Sequence, residues 1–172
     1  CKKFVDNKIQ LILVGSASSL YMRQFKKVLA ELNLRLSSFD SAGNVDADIV
    51  HFEKITDEML ATVYRNSHAF VCASEHEGFC VPLVEAMAFG LPVLAHKAAA
   101  VPETLDEAGL IFNKTTEMER AVVSINRLFN DETFYKQQSE KSLKRARDFE
   151  TSKIEALFNE SLDAALKDHE QC

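Results

Sequence analysis

Short apolar runs, each closed by a turn and followed by a stretch with helical spacing, set the strongest limit on how this chain folds. Residues 9–14 (IQLILV) are nearly all apolar and end at Gly15 and Ser16, the pattern of a parallel strand buried on both faces. From about Ser19 to Leu32, the residues Leu20, Phe25, Val28, Leu29 and Leu32 recur at helical spacing, with Arg23, Lys26, Lys27 and Glu31 on other faces. Residues 35–39 read as a weaker strand, 40–48 as a polar loop around Gly43, and 49–52 as a further strand. Thr56 opens a helix with Asp57 and Glu58 in its first turn and Leu60, Val63 and Tyr64 facing inward. Strands are then expected over 69–73, 93–95 and 110–112, a short helix over 82–89 and a helical turn over 101–105. Strands alternating with helices imply an α/β fold, a Rossmann-like parallel sheet with flanking helices.

After Gly109 neither glycine nor proline occurs, so the last third is free to run as helices, expected over 116–129, 131–148 and 151–168. Their expected inward residues include Leu128, Phe134, Leu143, Phe149, Ile154, Leu157, Phe158, Leu162 and Leu166. The lysines and arginines between Lys136 and Arg147 read as a solvated face. At 172 residues the chain is expected to be one domain, with an α/β core over 9–112 and C-terminal helices over 116–169.

A net charge of −6, with no basic stripe among aromatics, argues against nucleic acid as a partner. No apolar run approaches the ~18–20 residues needed to span a bilayer, and the first ten residues lack a secretory apolar segment, so a cytoplasmic location is expected. Cysteines at 1, 72, 80 and 172 form no C-x-x-C pair, and the five histidines fall at no metal-ligand spacing. A reducing compartment and no protein-held metal are the expectations.

In a parallel α/β sheet, ligands sit beyond the carboxyl ends of strands, here residues 15–16, 74–81 and 96–102. Residues 74–88 (SEHEGFCVPLVEAMA) pass from a strand end through Gly78 into a helix started by Pro82. Proline at the first helical position puts Cys80 or Val81 at the cap, where no side-chain oxygen satisfies the open N–H groups. Such a start is suited to an anion, a diphosphate being one, and equally to water. Gly78 and Pro82 keep Glu77 and Glu85 off one continuous helix, so Glu77 lies on the loop and Glu85 in an early turn. Both carboxylates then reach one crevice, as acceptors for vicinal sugar hydroxyls or simply as a solvated loop residue and a helix-dipole carboxylate. His76 and His96 flank the same crevice as further candidates, and Glu103 suits a helix start.

Residues 77–112 (EGFCVPLVEAMAFGLPVLAHKAAAVPETLDEAGLIF) resemble the E-x7-E region of the retaining glycosyltransferases of family 4, the group 1 glycosyltransferases of GT-B fold. The order of LILVGS and DEMLATVYRNSHAFVCASEHEGF upstream extends the resemblance over residues 9 to about 150. It implies the C-terminal, donor-binding half of a GT-B enzyme, lacking that half's first strand-helix unit and the N-terminal acceptor domain. It also implies a nucleoside diphosphate sugar of UDP or GDP type as donor, with no further cofactor. Carried over by position, Glu85 matches the glutamate that holds the ribose hydroxyls, and Glu77 the one at the donor sugar. The backbone of Gly78, Phe79, Cys80 and Val81 matches the donors to sugar hydroxyls and distal phosphate. Lys54 and Ile55 match the base-lining segment, with Gly15 and Ser16 in the crevice nearby. Cys80 stands where many members have glycine, and Glu53 where a glycine is common.

The implied reaction is transfer of a sugar to an acceptor hydroxyl with retention, in cell-surface polysaccharide or glycolipid synthesis. Membrane contact, at the inner face, would arise only through a full-length enzyme, and the chain alone is expected to be inactive. The alternatives are a non-catalytic α/β regulatory or interaction module and a fragment of a nucleotide-sugar epimerase. A receiver-like module would want acidic residues at the end of the first strand, where Val14, Gly15 and Ser16 supply none.

Overall fold

The computed structural model describes residues 9–38, 47–76 and 78–170, with the side chains of 168–170 left aside. Two compact units divide the chain, one up to Val63 and one from Tyr64 onward.

In the first unit, β1 (Leu11–Val14), β2 (Leu36–Ser38) and β3 (Ile49–Phe52) form a parallel sheet in the order β1-β3-β2, with Leu11 opposite Ile49 and Val14 opposite Phe52. Among the described residues only β3 has strand neighbours on both sides, and there Ile49 and Val50 are buried. β1 departs from the sequence expectation of burial on both faces: it begins at Leu11, and Leu11 and Val14 are exposed. Asp48, buried just before β3, accepts the Arg35 backbone N–H at 2.9 Å. Helix α1 (Ser19–Glu31) is capped by Ser18, whose hydroxyl accepts the Tyr21 N–H. Leu29 is its one buried residue, while Leu20, Val28 and Leu32, expected inward, are exposed. Helical spacing shows which residues share a face, not how much of that face is covered. Helix α2 (Asp57–Arg65) starts at Thr56, whose Oγ1 accepts the Met59 N–H. Of the expected loop around Gly43, residues 40–46 lie outside the described residues, as does Phe39, while Ala47 and Asp48 are buried.

In the second unit, β4 (Phe70–Cys72), β5 (Val93–His96) and β6 (Gly109–Phe112) form a parallel sheet in the order β4-β5-β6. Val93, Leu94 and Ala95 of the central β5 are fully buried. Helix α3 (Val81–Ala88) buries Leu83, Ala86 and Met87 beside Val101 and Leu105 of α4 (Val101–Leu105). Each such large side chain contributes about 1.5–3 kcal/mol. Helix α5 (Met118–Asn130) adds Ala121 to a cluster with Leu94 and Phe112.

Helix α6 (Glu132–Ala146) packs on α3, and Gly90, at φ +72° just past α3, makes room for it. The expected solvated face of α6 has one exception. Arg145, with a side chain only 24% exposed, donates through Nε to the Thr104 carbonyl at 3.0 Å and through Nη2 to the Glu103 carbonyl at 2.8 Å. Arginine's planar fork suits such paired acceptors, which charge patterning along a helix does not reveal.

Helix α7 (Thr151–Glu170) corrects the sequence reading most. Ile154, Leu157, Phe158, Leu162 and Leu166 lie at helical spacing as expected, yet every side chain described on α7 is exposed. Among the described residues no helix is long and apolar enough to cross a membrane.

Candidate functional site

The loop from the end of β4 to the start of α3 carries half of the sequence-predicted site. Glu77 lies outside the described residues. Gly78 and Phe79 are exposed, and the Phe79 ring meets Phe149 edge to face at 5.4 Å. The Phe79 carbonyl accepts the hydroxyl of buried Thr104 at 3.1 Å, which pins the loop to α4.

Cys80 follows at φ +64° and ψ +65°, a left-handed conformation in which a side chain is strained and glycine is free. The position where the sequence shows cysteine in place of a common glycine is therefore one whose backbone favours glycine. The Cys80 thiol is buried, 4.0 Å from the Cys72 sulfur at the end of β4.

As expected, Cys80 is the cap of α3, with no side-chain hydrogen bond to the helix start. One detail is corrected: not all first-turn donors are open, since the Leu83 N–H bonds back to the Cys80 carbonyl at 2.9 Å and Pro82 has none. Val81 is exposed at this helix start.

Glu85, one turn on, is half-buried and accepts the phenol O–H of Tyr64 at 3.0 Å through Oε2. Tyr64 is buried and stacks on Phe89 at 5.3 Å, with Phe70 at 6.2 Å and tilted. Burial and the adjacent carboxylate raise its phenol pKa well above the ordinary value of 10.0. Glu85 is also the charged group on the wall of an open groove of about 540 Å³, otherwise lined by Phe79, Val81, Val84, Ala88, Phe149 and Ile154. The arrangement offers a fixed carboxylate for hydroxyl groups, an apolar wall, and a helix start suited to negative charge.

Gly15, Ser16, Lys54 and Ile55 lie in the first unit, at the carboxyl ends of neighbouring β1 and β3. Gly15 donates its N–H to the Phe52 carbonyl at 2.9 Å, and its own carbonyl lies 2.7 Å from His51 Nε2. Lys54 is exposed and Ile55 half-buried.

His76 is exposed. The Nδ1 of His96 lies 3.2 Å from the Phe112 carbonyl and 3.3 Å from the Lys114 N–H, so this ring ties together the ends of β5 and β6. Lys114 pairs with Glu75, and that ammonium holds the Glu75 carboxyl below its usual range. Among the described residues, no three His, Cys, Asp or Glu side chains gather to hold a metal.

Two site-building residues escaped the sequence reading. Tyr64 registers there as core, and Thr104 carries no role. A buried phenol needs a hydrogen-bond partner, and that was the available signal for Tyr64. For Thr104 only tertiary contact supplies one.

Comparison with known proteins agrees with this architecture. The family model described as glycosyl transferases group 1 matches residues 1–145, and the chain belongs to that family. An MMP alpha-(1->4)-mannosyltransferase of Mycolicibacterium hassiacum is 35% identical over 85 residues, covering 49% of this chain and 18% of that protein. The serotype-specific mannosyltransferase WbdA of Escherichia coli is 26% identical over 138 residues, 80% of this chain and 17% of the relative. The chain thus spans less than one fifth of these relatives.

Among solved structures, the C-terminal domain of the group 1 glycosyl transferase LpcC from Francisella tularensis superposes with a TM-score of 0.64 at 22% identity, covering 81% of this chain and 69% of that one. The pneumococcal O-GlcNAc transferase GtfA, solved with UDP and GlcNAc, gives 0.64 at 16% identity over 91% of this chain and 29% of its own. The fold is the α/β fold of GT-B glycosyltransferase C-terminal domains, as the sequence reading expected.

Proposed function

We propose that this chain is the donor-binding domain of a retaining glycosyltransferase of family 4, taking a hexosyl group from a nucleoside diphosphate sugar of UDP or GDP type. The observation that carries the proposal is Glu85: a half-buried carboxylate fixed by Tyr64 on the second turn of a helix whose cap gives no side-chain bond. In this reading Glu85 accepts the ribose hydroxyls. Glu77 contacts the donor sugar, and the backbone at Gly78, Phe79, Cys80 and Val81 meets sugar hydroxyls and the distal phosphate. Lys54, Ile55, Gly15 and Ser16 take base-lining and crevice roles on the family pattern. The mannosyltransferase relatives favour a mannosyl donor, and the O-antigen chain mannosyltransferase B of Escherichia coli among them favours a role in surface polysaccharide synthesis.

The acceptor would be held by an N-terminal domain, and the whole enzyme would work in the cytoplasm, in contact with the inner face of the membrane. The hard step in such a transfer is departure of the diphosphate as charge develops on it, and fixed N–H donors stabilise that charge without reorganising. Glu77 and Glu85 position the donor and do not serve as a glycosidase's acid and base. The test is an NMR titration of this chain with UDP, GDP, ADP and their common sugars, alongside Glu85→Gln. Shifts confined to the 78–85 segment for one base, weakened in the variant, bear the proposal out. No shift at millimolar ligand refutes it.

A further inference from the structure

We propose that Tyr64 is a positioning residue for donor recognition: it holds one oxygen of Glu85 so that the other is presented to the vicinal hydroxyls of a nucleotide ribose. The inference rests on the donor-binding reading of Glu85. The Tyr64 O–H donates to Oε2 at 3.0 Å, so Oε1 is the oxygen left to meet a sugar hydroxyl. A glutamate carries three rotatable bonds, and ordering them at the moment of binding weakens affinity. Here the ordering is done in advance, because the phenol is itself fixed.

Tyr64 is 6% exposed and stacks on Phe89, whose ring has the Arg65 guanidinium 5.4 Å from its centroid, while Phe70 closes another side. The phenol stays protonated to higher pH than an ordinary tyrosine, so it remains a hydrogen-bond donor throughout the neutral range. A tyrosine needed only to fill the core would be replaceable by phenylalanine. The hydrogen bond to Glu85, the one charged residue among the described residues of the groove wall, distinguishes this one.

The experiment measures binding of UDP and GDP, and of their 2′,3′-dideoxy counterparts, to wild type, Tyr64→Phe, Glu85→Gln and the double variant. Tyr64→Phe keeps the ring and removes only the hydroxyl. It is expected to weaken the ribonucleotide by about 5–10-fold, the value of one ordinary hydrogen bond, while changing the dideoxy form less than about 2-fold. The double variant should bind like Glu85→Gln alone, because the phenol acts through that carboxylate.

Undiminished ribose preference in Tyr64→Phe, with that preference lost in Glu85→Gln, overturns this inference and spares the donor site. Equal weakening of ribo and dideoxy forms in Tyr64→Phe also overturns it, since that marks a general packing role. A wild type indifferent to the ribose hydroxyls, or one that binds neither nucleotide at millimolar concentration, removes the role of Glu85 and that of Tyr64 with it.

Discussion

Replacing Arg145 by lysine separates the charge of this residue from its shape. The guanidinium donates to the Thr104 carbonyl at 3.0 Å and the Glu103 carbonyl at 2.8 Å, pairs with Asp148 at 3.1 Å, and lies 4.8 Å from the Phe149 ring centroid. The two carbonyls belong to α4, a helix of five residues. Each bond from a charged donor is worth about 1.5 kcal/mol and the ring contact about 0.5 kcal/mol. Lysine keeps the charge but cannot meet two carbonyls in one plane, so Arg145→Lys should cost about 2 kcal/mol. Arg145→Met retains the apolar stem and loses every bond, and should cost about 3 kcal/mol.

The assay is urea unfolding followed by tyrosine fluorescence, the chain having no tryptophan. Because the principal acceptors are backbone carbonyls, the loss should persist in about 0.5 M sodium chloride, where an exposed ion pair is screened. Losses below about 0.5 kcal/mol in both variants, or losses that vanish in salt, would refute this account.

Three further outcomes follow from named contacts. In Gly90→Ala the new Cβ would meet Ser139 Oγ at 3.2 Å and Leu143 Cγ at 3.3 Å at φ +72°, so a loss of about 2 kcal/mol by thermal unfolding is expected; an unchanged midpoint would contradict it. Cys80→Gly relieves the left-handed strain while Cys80→Ala keeps it, so the glycine variant should be the more stable by about 1 kcal/mol, and the reverse order would sink the assignment. The folded state raises the Tyr64 pKa, so its stabilising effect is complete below pH 10.0, the unfolded value, and is lost as pH rises toward the folded one. Alkaline titration of stability should therefore fall more steeply in wild type than in Tyr64→Phe, and parallel curves would count against it.

The order of strands and helices was legible because each apolar run ends at a turn residue. The strand at Ile49–Phe52 and the helix at Val101–Leu105 fall where periodicity and proline place them. The poorly capped start of α3 was also legible, because it follows from Pro82 alone. Burial was not. Period gives the facing of Leu20 or Leu162 but carries no information about what lies opposite, and both are exposed. Arg145 reads as one more cation in a charged run until its distance to two carbonyls is known. The Tyr64 bond to Glu85 links residues 21 apart in sequence, and local pattern is blind at that range.

The bare surface of α7 has a thermal consequence. Isolated helices shorter than ~12–15 residues are marginal in water, and longer ones lose helicity gradually on heating. A 20-residue helix with no described side chain buried draws little on the cooperativity of the sheet and of α3. Heating should thus produce a shallow early decline in helical signal, then a sharp step when the packed unit opens. A midpoint fitted to circular dichroism alone would average two processes, whereas one fitted to the ring environment of Tyr64 would report the second.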